Sequence, residues 1–278
     1  MVANTLYGQD RAEESSEHAP FGRFAPTPLQ ARLLRWTRRM PGSWTGRRLA
    51  MLVRRLAMTT LHAPLDDEIW GMRMRLYPFD NICEKRALFT PQFFDPVERA
   101  ILSACAAVEP QPAVFERLVF NVAQNDGGTI KALRCALADR NGEITLFVES
   151  GSRGQSSMRY IESAEGSAHA IRVPARTLLG VLAEEGLERI DAIKIDVEGA
   201  EDLVLGEFLE RAPEALLPSL LIVGNSRGRW QKDLVGKMEA RGYHMLAQTR
   251  LNLVLERGIV HRPDMLLEAA RGGTPHWG

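Results

Sequence analysis

The segment IDAIKIDVEGAE, residues 190–201, gives the clearest indication of the fold. Its first half is apolar enough for a buried strand, and Gly199 then turns the chain into a helix that begins with carboxylates. Short apolar runs of this kind alternate with helical patterns from Asp66 onward, which is typical of an α/β domain with a mostly parallel sheet. In such sheets, ligands bind beyond the carboxyl ends of the strands. The acids that end this strand are therefore the first candidates for a functional site.

Acidic side chains follow the apolar run. The two-residue alternation of a strand predicts that Lys194, Asp196 and Glu198 share one face and converge at the rim of the sheet. Glu201 falls in the first turn of the next helix, where the helix macrodipole favours an anion. A carboxylate that closes a buried strand needs polar partners, and a cleft supplies them. We predict Asp196, Glu198 and Glu201 as catalytic residues, with helix capping as the alternative role for Glu201.

A second signal is the segment AVEPQP, residues 107–112, in which a short apolar piece ends in Glu109 and a helix follows. An acid at the tip of the second strand of a nucleotide-binding sheet accepts hydrogen bonds from two ribose hydroxyls. Glu109 is therefore a candidate cofactor-binding residue.

Periodicity predicts the remaining elements of the main body. The predicted helices are residues 93–105, 113–125, 177–186, 201–212 and 230–243. The predicted strands are residues 129–137, 143–150, 190–196 and 219–224, with the first two joined by a turn at residues 139–142. Residues 69–78 are predicted as an edge strand or hairpin arm, and the segments HMLAQ and NLVLER as a closing antiparallel pair.

Residues from about Val108 to Glu210 resemble the FkbM family of S-adenosylmethionine-dependent methyltransferases. The segments that carry the resemblance are VEPQPAVFERLVFNV, CALADRNGEITLFV, GSRGQSS and VPARTLLGVLAEEGLERIDAIKIDVEGAEDLVLGEF. The resemblance implies a Rossmann-like class I methyltransferase fold. It also implies transfer of a methyl group from S-adenosylmethionine to a hydroxyl oxygen of a small molecule or glycan.

The resemblance also assigns the cofactor site. It implies that Glu109 holds the cofactor ribose, and that Ala136, Leu137 and Asp139 lie beside the adenine. It further implies that Asp196 lies near the methionine moiety and the reacting methyl group.

The chain departs from the family pattern before Glu109. The family places a strand, a glycine-rich turn and a helix there, yet this sequence has no glycine between Gly71 and Gly127. A unit of about 30 residues is therefore missing, and with it the backbone cradle that glycines provide. An alternative function follows, a catalytically inactive methyltransferase-like domain that binds or acts as a scaffold. An NAD-dependent oxidoreductase would use the same acid, but the chain has no GxGxxG motif.

Composition excludes several other classes of protein. The chain has 278 residues, of which 45% are hydrophobic and 25% charged, as in ordinary globular proteins. Its 35 basic residues balance 35 acidic ones, so no net field favours nucleic acid. Neither a bilayer-spanning run nor a secretory signal is evident, and three cysteines without regular spacing indicate a reduced compartment, so we expect a cytoplasmic protein. The scattered histidines do not have the spacing of metal ligands, so we expect no metal.

The charge is unevenly distributed along the chain. Between His18 and Leu65 the sequence has nine arginines and no acid. We predict a mobile tail over residues 1–25, a basic arm of two helices over residues 26–65, and a methyltransferase-like domain over residues 66–278. The arm permits two interpretations: contact with an anionic membrane surface or acidic partner, or packing on the domain with the arginines in water.

Overall fold

The computed structural model describes residues 19–79, 81–93, 105–125, 130–149, 156–157 and 168–258. The chain forms two compact units. We call residues 1–95 and 111–132 the N-terminal unit, and residues 96–110 and 133–278 the C-terminal unit.

Two basic helices begin the N-terminal unit, as predicted. Helix α1 spans Pro28–Arg39, and Thr27 with Gln30 forms a capping box at its start. Helix α2 spans Trp44–Met58, and the Ser43 side chain accepts a hydrogen bond from the backbone N–H of Gly46. The two helices pack against each other on either side of Pro41 and Gly42.

A hairpin follows the helices. Strands β1 (Leu65–Ile69) and β2 (Met72–Leu76) pair antiparallel. Trp70 and Gly71 connect them with φ angles of 56° and 79°, the left-handed pair that a tight hairpin turn requires. The hairpin-arm prediction for residues 69–78 is thus confirmed for its second half, while its first residues belong to β1 and the turn.

Two further helices complete this unit, α3 (Ile82–Phe89) and α4 (Pro112–Ala123). The core of the unit takes apolar side chains from the two basic helices, the hairpin and α3: Leu33, Leu34, Val53, Ala57, Leu61, Leu65, Ile69, Leu76, Leu88 and Phe89. This core contains side chains from residues before and after residue 65. The boundary that we expected between the basic arm and the domain therefore lies inside one compact unit.

A buried ion pair holds the segment that precedes α1. The Arg75 guanidinium donates to Asp66 from Nε at 2.7 Å and from Nη2 at 3.0 Å, and both side chains are 1% exposed. Asp66 also accepts hydrogen bonds from the backbone N–H groups of Gly22 and Phe24. Residues 19–24, which we placed in a mobile tail, are therefore anchored to the hairpin. Residues 1–18 of that tail lie outside the described residues.

The C-terminal unit contains a sheet of four strands: β9 (Ala192–Ile195), β10 (Leu220–Gly224), β11 (Tyr243–Gln248) and β12 (Asn252–Arg257). Their order in the sheet is β11-β12-β10-β9. Strands β9 and β10 are parallel, whereas β12 is antiparallel to both β10 and β11. The buried strand, its neighbour and the closing antiparallel pair are thus confirmed.

Three helices pack with this sheet: α5 (Leu178–Glu184), α6 (Glu201–Arg211) and α7 (Leu234–Ala240). Their apolar faces share one core with the strands, and its fully buried members include Val204, Leu205, Phe208, Leu221 and Leu253. Helix α7 begins four residues later than predicted, at a cap formed by the Asp233 side chain.

A second sheet has the order β5-β8-β6-β7. Its strands are β5 (Ala136–Leu137), β6 (Gly142–Glu149), β7 (Ser156–Ser157) and β8 (Ala168–Arg176). The predicted strands 129–137 and 143–150 are not neighbours here, because β8 pairs with β5 on one side and with β6 on the other. The first of them is also divided, into β4 (Ile130–Leu133) and β5.

The α/β class is confirmed, but the expectation of a mostly parallel sheet is not met in these two sheets. Their parallel pairs are β9–β10 and β5–β8, and the other pairs are antiparallel. The predicted helix 93–105 lies mostly outside the described residues, and its last residue, Cys105, belongs to strand β3 (Cys105–Val108) instead. None of the helices in the described ranges is long and apolar enough to cross a membrane.

Candidate functional site

The parallel strands β9 and β10 end side by side, because Ile195 is in register with Val223. Asp196 follows the first strand, and Gly224 is the last residue of the second. A Cβ atom placed on Gly224 would lie 2.7 Å from Oδ1 of Asp196 and 3.1 Å from Oε1 of Glu201. The lack of a side chain at Gly224 therefore lets two carboxylates lie against the end of β10.

The chain between Asp196 and α6 is a tight turn rather than a continued strand. Glu198 has a φ of 51°, and Gly199 has a φ of 104°. The alternation that placed Lys194, Asp196 and Glu198 on one face is therefore wrong beyond Ile195, where the strand ends. A left-handed glutamate costs about 1 kcal/mol or more, so surrounding contacts must hold it in place.

Glu201 supplies those contacts. Its Oε1 accepts hydrogen bonds from the backbone N–H groups of Val197 at 3.1 Å and Gly199 at 3.2 Å. Its Oε2 accepts from the indole N–H of Trp230 at 2.8 Å, and the residue is fully buried. These three bonds give Glu201 a positioning role at the turn. Its action as a proton acceptor stays a prediction.

Asp202 repeats the arrangement one residue further along α6. Its Oδ2 accepts hydrogen bonds from the backbone N–H groups of Gln231 at 2.9 Å and Lys232 at 3.0 Å. The first two residues of α6 therefore fix the loop that follows β10. The sequence did not predict the contacts of Asp202 or the contact between Trp230 and Glu201, because residues that are 29 or 30 positions apart form no local sequence pattern.

Arg229 brings a positive charge to the same turn. Its Nη1 donates to the Glu198 carbonyl oxygen at 3.2 Å and lies 3.6 Å from the Glu198 carboxylate. Its side chain crosses Gly199 so closely that a Cβ atom there would lie 2.7 Å from Cδ of Arg229. Glu198 is therefore oriented by an arginine, whereas the partners of Glu201 are uncharged.

The predicted cofactor residues belong to the C-terminal unit as well. Glu109 directly follows β3, is half-buried, and donates its backbone N–H to the Leu133 carbonyl at 3.0 Å. The segment from Leu133 leads into β5, where Ala136 is buried and Leu137 packs against the core that contains Ile195. The Asp139 side chain lies in a bend after this strand, 3.4 Å from Arg140.

The site residues thus form two groups. Asp196, Glu198 and Glu201 lie around the ends of β9 and β10, and Glu109 is tied by its backbone to the segment that carries Ala136, Leu137 and Asp139. The apolar core behind Leu137 and Ile195 connects the two groups.

Cys135 directly precedes β5 and carries a thiol, a group that can act as a nucleophile. Burial raises the pKa of the Cys135 thiol, which keeps it protonated and a poor nucleophile. Across the described parts of the chain, no three His, Cys, Asp or Glu side chains are grouped so as to hold a metal ion.

Comparison with known proteins identifies the family. The profile of the methyltransferase FkbM domain matches residues 88–245, more than half of the chain. The chain belongs to the FkbM methyltransferase family. The FkbM match includes Glu109, the segment of β5 and the turn from Asp196 to Glu201, so both groups of site residues lie inside it.

A curated relative supports the assignment to the FkbM family. The methyltransferase sdnD of Sordaria araneosa is 34% identical over 126 residues, a match that covers 36% of this chain and 49% of the relative. The chain therefore spans about half the length of the curated relative it matches. No solved structure matches the chain significantly.

Proposed function

We propose that this FkbM protein is an S-adenosylmethionine-dependent methyltransferase that acts on a hydroxyl oxygen of a small molecule or glycan. The observation that carries the proposal is the Asp196 carboxylate at the carboxyl ends of two neighbouring parallel strands, packed against Gly224. Ligands of open α/β sheets bind at this edge. We further propose that the β9–β10 pair belongs to a Rossmann-like class I core.

The residues present fit the nucleoside part of the cofactor. The half-buried carboxylate of Glu109 is of the type that accepts both ribose hydroxyls. Ala136 and Ala138 are small and buried, and Leu137 adds an apolar side chain beside them, which suits a flat adenine ring. Asp139 completes the set with an acceptor for the adenine amino group.

When bound, the cofactor supplies a methyl group on a positively charged sulfur. Asp196 and Glu198 would place negative charge near the bound sulfonium group, and either carboxylate would accept the proton of the acceptor hydroxyl. Glu201 holds the turn between them, and Arg229 orients Glu198. Positioning of the acceptor supplies much of the expected rate.

One observation favours a second candidate function. The glycine-rich turn that would receive the methionine part of the cofactor has no counterpart between Gly71 and Gly127. A chain without that cradle would act as a catalytically inactive binding or scaffold domain.

Calorimetric titration of the full chain with S-adenosylmethionine tests the two functions. The Glu109→Ala variant removes the ribose acceptor, and we expect it to weaken binding about 10- to 100-fold. Glu188→Ala is the matched control, because Glu188 is an exposed acid in the same unit. The Asp196→Asn variant should lower methyl transfer about 100-fold or more.

The outcomes separate the candidates. Binding that Glu109→Ala weakens and Glu188→Ala leaves unchanged supports the enzyme, and transfer to a panel of hydroxyl acceptors then follows. A folded chain without measurable affinity contradicts the enzyme and supports the scaffold.

A further inference from the structure

The two basic helices of the N-terminal unit expose an unusual amount of apolar surface. Trp36 of α1 is 58% exposed, and Trp44 at the start of α2 is 67% exposed. Other large apolar side chains on the two helices are between 47% and 65% exposed: Leu29, Leu49, Met51, Leu52 and Leu56. We call these seven side chains the outer apolar face.

The outer apolar face is separate from the side that packs. Leu33 and Leu34 of α1 and Val53 and Ala57 of α2 are buried in the core of the N-terminal unit. A helix on a protein surface normally turns polar residues outward once one side is buried. The two helices instead carry apolar side chains on both sides, so the outer ones are not explained by the core.

The helices that carry the outer apolar face also carry exposed arginines. Six arginines of the two helices are exposed: Arg32, Arg35, Arg39, Arg47, Arg48 and Arg55. The Arg48 guanidinium lies over the Trp44 ring, 4.1 Å from its centre. Arg38 lies elsewhere, because it pairs with Asp67 at 2.6 Å. Since residues 19–64 contain no acid, no carboxylate of this segment offsets the positive charge.

We propose that the outer apolar face lies flat on an anionic lipid surface. Tryptophan and leucine enter the boundary between headgroups and acyl chains, while arginine stems bury their methylenes and extend their charges to lipid phosphates. Tryptophan in particular is suited to that boundary, because one edge of its ring is polar. An acidic protein would match the charge, but it would also have to supply pockets for the seven apolar side chains, whereas acyl chains accept them without pockets.

Vesicle binding by the full chain tests this proposal. The probes are vesicles of phosphatidylcholine alone and vesicles with about 30% phosphatidylserine, measured by co-sedimentation. The apolar variant is Trp36→Ser with Trp44→Ser and Leu52→Ser. Its control, Leu187→Ser with Leu251→Ser, removes exposed apolar side chains of the C-terminal unit.

A second pair of variants isolates the charge. Arg39→Gln with Arg55→Gln removes two exposed arginines of the two helices, and Arg189→Gln with Arg211→Gln removes two exposed arginines of the C-terminal unit. Both double variants change the net charge equally. Only the first should weaken binding to the phosphatidylserine vesicles, by about 30-fold.

We expect the full chain to bind the anionic vesicles, with a blue shift of tryptophan fluorescence, and the apolar variant to lose at least about 10-fold in binding. Failure to bind those vesicles would overturn the proposal. Capture by polyglutamate that the apolar variant retains would assign the surface to an acidic partner. Sedimentation as a dimer that the apolar variant dissociates would assign it to a second copy of the chain.

Discussion

Each unit of the molecule buries a carboxylate completely, but the two carboxylates have opposite surroundings. In the N-terminal unit, Asp66 receives two hydrogen bonds from the Arg75 guanidinium as well as two from backbone N–H groups. In the C-terminal unit, Glu201 receives two backbone N–H groups and one indole N–H, all uncharged. The charge of Asp66 is cancelled where it lies, and that of Glu201 is not.

The difference separates a carboxylate held in an ion pair from one held by neutral donors alone. Arg75 lies between the rings of Phe24 and Phe120, 4.9 and 4.2 Å from their centres, so its ion pair is also enclosed by aromatic surface. An ion pair enclosed in this way has a structural role, and its charges are not accessible to a ligand. Glu201 lies beside Asp196 at the end of a parallel strand pair, and its carboxylate has no arginine among its hydrogen-bond donors.

Removal of Arg75 should have the largest effect. We expect Arg75→Met to lower the free energy of unfolding by about 3–5 kcal/mol, because it leaves Asp66 buried without its counter-charge. The matched control is Arg189→Met, whose pair with Asp191 is about four-fifths exposed and should cost about 1 kcal/mol or less. Urea unfolding measures both, and equal losses would erase the distinction between an enclosed and an open pair.

Removal of Glu201 should have a smaller effect on stability. We expect Glu201→Ala to cost about 3 kcal/mol, because it leaves the N–H groups of Val197, Gly199 and Trp230 without their acceptor. Glu201→Gln should cost less, since an amide oxygen still accepts, but its NH2 group then faces either the backbone donors or the indole.

A double variant sharpens this test. Trp230→Phe removes the indole donor, so Glu201→Gln combined with Trp230→Phe should cost less than the sum of the two single changes in chemical unfolding. Strict additivity would mean that the carboxylate and the indole do not interact.

Substitution of Gly224 tests whether the site depends on the close approach of the Asp196 carboxylate to the end of β10. A Cβ atom at this position meets Asp196 at 2.7 Å, so Gly224→Ala must displace the carboxylate and should cost about 1–3 kcal/mol. Gly206→Ala in α6 is the matched control, because its Cβ would meet only Lys237, at 3.7 Å. It should stabilise the protein by about 0.5–1 kcal/mol. Thermal unfolding with the same sign for both variants would contradict this reading of the strand end.

The elements that sequence predicted best carry their signals locally. The strands around residues 190–196 and 219–224 are apolar runs bounded by polar residues, and their predicted positions are close to β9 and β10. The basic helices begin at side-chain caps that can be read from Thr27 and Ser43. Strand β8 was missed because Pro174 argues against a strand, although its two partners hold it in the sheet.

The site could be predicted only in part for the same reason. Asp196 and Glu109 stand out because each closes a short apolar run. The roles of Glu201 and Asp202 depend on loop groups that lie 29 or 30 residues away, and no local pattern indicates such contacts. Those contacts also explain why α7 begins at Leu234, since residues 230–232 donate their N–H groups to α6 instead.

Tyr243 extends the comparison to a buried acid that stays neutral. Its hydroxyl donates to the Pro218 carbonyl at 2.7 Å, and burial raises the pKa of the phenol to about 12.

We expect Tyr243→Phe to cost about 1 kcal/mol at pH 8, where the lost hydrogen bond is the main difference. As the pH rises above 10, the unfolded phenol ionises before the folded one, so the native protein loses stability that the phenylalanine variant keeps. The difference between the two proteins in urea unfolding should therefore shrink steadily from pH 10 toward pH 12. A difference independent of pH over that range would mean that the Tyr243 phenol ionises equally in both states, and that burial does not outweigh the nearby Arg241 and Arg257 charges.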